Sequence, residues 1–330
     1  MEQVKQYLST LDELIGESPK DEKSIYKHPA MKKAGTVSII LLREVIAPLV
    51  IKNSEEEVTD IDWQDEAYIR AVPNKFKYTE RGRGLQILRY LKCGGTQAQN
   101  KTIILKSQDP SDVFDMNTLI YGDSTNSQQV LPIKAAVNYS DAISLKPKEF
   151  CVGETFHNRA AEDGTLWDAE NKKNSDNLFN RHYVMPGTLL VQVLTTRGKV
   201  LPPEAMDHLL LSIGFAGAYG GQTSITGTNV KTHFVGAYGD LFEREISSPY
   251  ILNQLFKDFE GDLDAEKASE MIHSAAKAQH KVSLNSNEVT DYVDGLMKRF
   301  ENDQLSSQYQ NAAKKIGNLF NSWFNKEEAA

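Results

Sequence analysis

Five glycines fall within the fifteen residues from Ile213 to Gly227, in the run I-G-F-A-G-A-Y-G-G-Q-T-S-I-T-G. A backbone free of Cβ atoms can come close to another group. Successive N–H groups exposed in a turn suit an anion, phosphate above all. Gly220, Gly221, Gln222 and Thr223 read best as the part that meets a ligand. Gly214 and Gly217 read equally well as glycines that end or pack a helix. The spacing G-x-x-G-x-x-G-G is not a Walker loop, because no Lys follows a suitable glycine. It is not a dinucleotide fingerprint either, because it follows a helical pattern where that fingerprint opens one.

A second stretch carries charge. The chain has a net charge of −8, but residues 67–106 hold nine bases (Arg70, Lys75, Lys77, Arg81, Arg83, Arg89, Lys92, Lys101 and Lys106) against one acid, Glu80. Clustering of this kind is the electrostatic footprint of a nucleic-acid binder, or else a solvated basic face. Arg81-Gly82-Arg83-Gly84 is expected to open a helix, whose free N–H groups and partial positive charge would hold a phosphate. Arginine forks match phosphate oxygens.

Evidence for catalysis is thinner. None of the seven histidines sits in an H-E-x-x-H motif. His157 and His182 are expected to approach each other across a hairpin. The acidic run E-E-E-V-T-D-I-D-W-Q-D-E offers candidate metal carboxylates, yet it lacks the glycine and spacing of an EF-hand. A solvated loop is the plainer reading. No resident metal or cofactor is expected.

These residues need elements to position them. Val37–Leu42 (V-S-I-I-L-L) is a buried-strand pattern, and Ala47–Ile51 continues it or pairs with it. The acidic run is a loop or polar hairpin. Strands are expected over 133–145 and 189–194, with a short helix over 203–213 before the glycine-rich loop. Between them, Phe156–His182 is polar, and beyond Phe156 at its start Leu166, Trp167, Leu178 and Phe179 are its only large apolar residues. A stretch of that length reads as a long protruding hairpin or a partly mobile loop. Residues 259–330 are helical. Asn285 and Glu288 form a candidate capping box, with apolar faces at Val289, Val293, Leu296 and Phe300 and at Tyr309, Ala312, Ile316, Leu319 and Trp323. With no run of eighteen apolar residues, no membrane span is expected. Two cysteines far apart, Cys93 and Cys151, indicate the cytoplasm.

The order V-S-I-I-L-L, R-G-R-G-L-Q-I-L-R-Y-L, L-I-Y-G-D-S, A-A-V-N-Y-S-D-A, a long polar insertion, V-M-P-G-T-L-L-V-Q-V and then the glycine-rich loop resembles the RAMP superfamily of CRISPR RNA-binding proteins. It is most similar to the repeated backbone subunit of type I-D Cascade complexes, across roughly residues 34–255. L-I-Y-G departs from the L-F-G usual there. The resemblance implies an α+β fold: a modified ferredoxin-like (RRM-like) palm over 1–258 with finger and thumb insertions, the thumb at about 153–184; it does not require the helices of 259–330, which read from their periodicity as a small subdomain or docking arm. It implies a subunit that stacks on a guide RNA with further copies of itself and other Cascade subunits, and presents the guide to target DNA or RNA. The candidate RNA-binding set is Lys75, Lys77, Arg81, Gly82, Arg83, Gly84, Arg89, Gly220, Gly221, Gln222, Thr223 and Lys231. The thumb would contribute His157, Arg159, Trp167, Phe179, Arg181 and His182. Two alternatives stay open: a backbone subunit that also cuts the paired target with a metal through Asp60 or Asp62, and a free-standing single-strand-binding protein.

Overall fold

The structure, a computed structural model, describes residues 1–17, 29–51, 58–97, 110–122, 134–158, 167–168, 172–174, 178–220, 227–259 and 261–324. In chain order its elements are α1 (Glu2–Lys5), α2 (Leu11–Ile15), β1 (Thr36–Val45), β2 (Asp60–Trp63), β3 (Glu66–Ala71), α3 (Asn74–Tyr90), α4 (Pro110–Val113), α5 (Met116–Tyr121) and β4 (Val137–Pro147). An arm follows, made of β5 (Val152–Asn158), β6 (Trp167–Asp168), β7 (Lys173–Asn174) and β8 (Leu178–Val184). Then come β9 (Leu189–Thr196), α6 (Pro203–Gly214), β10 (Val230–Asp240), α7 (Pro249–Gln254), α8 (Ala265–Gln279), β11 (Val282–Leu284), α9 (Ser286–Glu301) and α10 (Ser306–Phe324).

The main sheet runs β11-β10-β1-β9-β4-β3-β2, and every neighbour pair is antiparallel. Within it, β1-α3-β4-β9-α6-β10 is a β-α-β-β-α-β unit with spatial order β10-β1-β9-β4, the ferredoxin-like arrangement. The expected α+β class and palm are therefore present. β1 reads as an unbroken apolar run because both sheet faces are covered and its side chains alternate between them. Val37, Ile39 and Leu41 enter a core with α3, α5, α6, α9 and α10. Ile40 and Leu42 enter a second core that holds Leu252 of α7 and Ala268, Ile272 and Ala276 of α8.

The helices of residues 259–330 fill these same two cores. Val289, Val293 and Leu296 are buried, as are Tyr309, Ala312, Ile316, Leu319 and Trp323. The Asn285–Glu288 capping box is complete in both directions. α10 lies along α2, where Trp323 Nε1 donates to the Leu14 carbonyl at 3.1 Å.

Asn117–Tyr121 lies in a helix, capped by Asp115, which accepts from Thr118 N. Two local expectations are corrected. Leu49 neither extends β1 nor pairs with it, but bridges Val184 at the root of the arm. The second correction, the true start of α3, bears on the site. The acidic run does form a hairpin at its described end, where Asp60–Trp63 pair with Glu66–Ile69.

Candidate nucleic-acid interface

A fully buried ion pair holds this region together. Arg43 of β1 and Glu80 of α3 are both at 0% exposure, with Arg43 Nη2 2.7 Å from Glu80 Oε1. Arg43 Nη2 also donates to Gln192 Oε1 at 2.9 Å, and Nη1 donates to Thr232 Oγ1 at 2.8 Å. Its guanidinium sits 4.7 Å from the ring centre of Phe76. Two phenols complete the acceptor side: Tyr139 Oη donates to Glu80 Oε2 at 2.6 Å, and Tyr219 Oη donates to Glu80 Oε1 at 3.0 Å. Burial, and then the charge of Glu80, push both phenols well above their ordinary pKa, so they remain donors. Burial is the largest influence on Arg43 and would lower its pKa, but the charge of Glu80, the two phenols and the hydrogen bond to Glu80 together outweigh it, and the net direction is up. Four strands, a helix and a loop thus meet at one pair of charges. Sequence reasoning missed this pair. Its two traces were a lone arginine in an apolar strand and a lone acid in a basic segment.

α3 begins at Asn74, seven residues before Arg81. Arg81-Gly82-Arg83-Gly84 therefore lies in mid-helix and offers no free helix N-terminus. At the true start, the N–H groups of Lys75, Phe76 and Lys77 already donate to the carbonyls of Val72 and Pro73. Arg81 is buried at 7% exposure and its Nη2 reaches Gln97 Oε1. A Cβ on Gly84 would fall 2.2 Å from Asn117 Oδ1 and 3.0 Å from both His208 Nε2 and Ser212 Oγ. Gly84 is thus a contact between α3, α5 and α6. Arg89 grips the loop after the helix, with Nε on the Gly95 carbonyl and Nη2 on the Gln97 carbonyl, each at 2.6 Å. Arg83 is half-buried and bonds Gln86 at 2.6 Å. Gly82, Lys75 and Lys77 are also half-buried. Burial first, and the neighbouring Arg81 second, lower the Lys77 pKa.

The described base of the glycine-rich loop stands on the same anchor. Asn229, fully buried, accepts from Tyr219 N at 2.9 Å and donates to Tyr219 O at 2.8 Å. The Tyr219 ring packs 5.0 Å from Phe76. Gly220 follows with φ +96°, a conformation that favours glycine. Gly221, Gln222 and Thr223 lie outside the described residues. Gly214 is resolved as packing: a Cβ there would meet Met297 Sδ at 2.9 Å and Val293 at 3.0 Å. Gly217 abuts Thr228 in the same way. Lys231 is exposed on β10 opposite Glu44.

The arm is a seven-pair ribbon, Val152↔Val184 through Asn158↔Leu178. His157 pairs with Phe179 and His182 with Glu154, so the two histidines stand on different rungs, contrary to expectation. His182 Nδ1 lies 3.4 Å from Glu154 Oε1. Trp167 is half-exposed beside Asn174. Arg159 lies outside the described residues; His157, Phe179 and Arg181 are described by backbone register alone. Asp60 is paired with Lys148, and Asp62 is exposed. Among the described residues no three His, Cys, Asp or Glu side chains converge to hold a metal, and no helix is long and apolar enough to cross a membrane.

Two solved structures share this architecture. Thermofilum pendens Csc2 superimposes with a TM-score of 0.59 at 14% identity, over 96% of this chain and 95% of that one. A chain of a CRISPR RNA-guided surveillance complex, in a pre-nicking state, gives 0.50 at 10% identity, over 74% of this chain and 88% of that one. No curated protein sequence matches. The sequence model described as Csc2 Crispr matches residues 27–322, nine-tenths of the length, and the chain belongs to that family.

Proposed function

We propose that this protein is the repeated backbone subunit of a type I-D CRISPR RNA-guided surveillance complex. It holds guide RNA through phosphates without regard to sequence and presents it for pairing with target DNA. The observation that carries this reading is the Arg43–Glu80–Tyr219 anchor, which fastens the base of the glycine-rich loop, at Tyr219, to a basic helix in a chain of the Csc2 Crispr family. Contacts to phosphate position any sequence equally, as a guide carrier requires. Copies associate head to tail, so that RNA length sets their number, alongside other Cascade subunits.

The test uses Lys75→Glu, Arg83→Glu and Lys231→Glu. Arg81 is avoided because its burial makes a charge reversal there a folding variant. Each variant should weaken binding of unrelated single-stranded RNAs by the same factor and lower the salt slope by up to about one unit. Native mass spectrometry on guides of increasing length should show whole copies added in steps. Unchanged slopes in all three variants, together with a copy number indifferent to RNA length, would refute the reading.

A further inference from the structure

The basic segment exposes two aromatic rings, Tyr78 at 53% and Tyr90 at 59%. Tyr90 is occupied: its hydroxyl donates to Asp303 at 3.0 Å and its ring lies 5.1 Å from Phe300. Tyr78 has neither a ring partner nor a hydrogen bond among the described residues. Its direction follows from helix geometry. Phe76 and Glu80 point into the Arg43 anchor, and residue 78 stands about 200° around the helix from residue 76. It therefore faces solvent. Its neighbours on that surface are Lys75 at i−3 and Gly82 at i+4, whereas Arg81 at i+3 is buried against Gln97. An unburied ring beside the Lys75 stem, with a residue lacking a side chain on the next turn, presents a flat apolar surface on a basic helix.

We propose that Tyr78 stacks on a nucleobase of the bound single-stranded RNA. This inference rests on the RNA-binding reading above and adds to it a contact with the base instead of the backbone. Stacking is indifferent to sequence, because every base has a π-face, so it suits a carrier of arbitrary guides. The charge beside the ring favours RNA over a protein partner, and copy-to-copy contact is the outcome that would reassign it.

The test compares Tyr78→Ala, Tyr78→Phe and Tyr78→Trp by fluorescence anisotropy at one fixed ionic strength. The probes are a single-stranded RNA and the same strand with abasic sites. Tyr78→Ala should weaken binding to the intact strand roughly fivefold or more, from the usual worth of one stacked base, with the salt slope unchanged. Tyr78→Phe and Tyr78→Trp should retain affinity. The gap between wild type and Tyr78→Ala should close on the abasic strand. If wild type binds RNA and Tyr78→Ala binds it equally well, this inference fails and the phosphate reading stands. If wild type binds no RNA, both fail. If Tyr78→Ala impairs only the addition of further copies, the ring belongs to a protein contact and the inference is overturned.

Discussion

Replacing Glu80 with Gln tests the anchor most directly. The change keeps the shape of the side chain and removes its charge, leaving the Arg43 guanidinium at 0% exposure without a counter-ion. Gln192 and Thr232 still accept from it, but neither carries charge. Breaking a buried pair by removing one partner costs about 3–5 kcal/mol. With unfolding entropy near 2.1 cal/mol/K per residue over 330 residues, that lowers the melting temperature by roughly 4–7 °C. Arg43→Met in the same background removes the stranded charge. The two changes together should then cost less than the sum of the single ones, by about 2–3 kcal/mol. Recovery is incomplete because Gln192 Oε1 loses its donor, and an orphaned buried polar group costs about 1–3 kcal/mol. The assay is thermal and urea unfolding of both single variants and the double variant, followed by circular dichroism. A Glu80→Gln protein melting within about 1 °C of wild type, or strictly additive costs, would refute the reasoning.

Three further outcomes are expected. His208 is fully buried, and burial lowers its pKa to about 3, below the value of roughly 6.5 it has when unfolded. The unfolded chain therefore takes up a proton that the folded one refuses. The stability from neutral His208 is complete above about pH 6.5 and is lost as pH falls toward 3, at up to about 1.4 kcal/mol per pH unit. His208→Gln should flatten that slope; the readout is the difference between variant and wild type, because burial raises the pKa of Asp115 and Asp207 and gives them the opposite sign. Gly84→Ala places a methyl 2.2 Å from the buried Asn117 Oδ1 and should cost about 1–3 kcal/mol in urea unfolding. Asp60→Asn should change stability by less than about 1 kcal/mol, since the Asp60–Lys148 pair is solvent-exposed, so any change in a target-cleavage assay with added metal would report on chemistry and not on folding.

Periodicity carried much of the fold. β1, β9 and the apolar faces of α9 and α10 each follow from spacing alone, because what buries them is a continuous core on a fixed side. The capping box at Asn285 was equally legible, because all its partners lie within four residues. Short apolar runs were not: Met116–Tyr121 reads as strand or helix until its neighbours are known. Arg-Gly-Arg-Gly misled because glycine usually punctuates a helix, whereas Gly84 admits the close approach of two others. The Arg43–Glu80 pair lay furthest from view, since local pattern cannot pair residues 37 positions apart in different elements.

The order of strands in the sheet has a consequence in time. β1 is central, but its neighbours β9 and β10 begin at Leu189 and Val230, so 143 and 184 residues separate the end of β1 at Val45 from their first residues. At the usual 5–20 residues per second of synthesis, V-S-I-I-L-L waits roughly 7–30 s for its first partner. Such a run, uncharged and free of proline, is what other nascent strands pair with. Arg43 and Glu44 close it off at one end, where a charge opposes that pairing. Glu80 is made only later, so on the growing chain Arg43 is a solvated charge that keeps β1 apart from its kind. Folding then buries the same guanidinium at the centre of the sheet, and one residue protects the strand before it is paired and secures it afterwards.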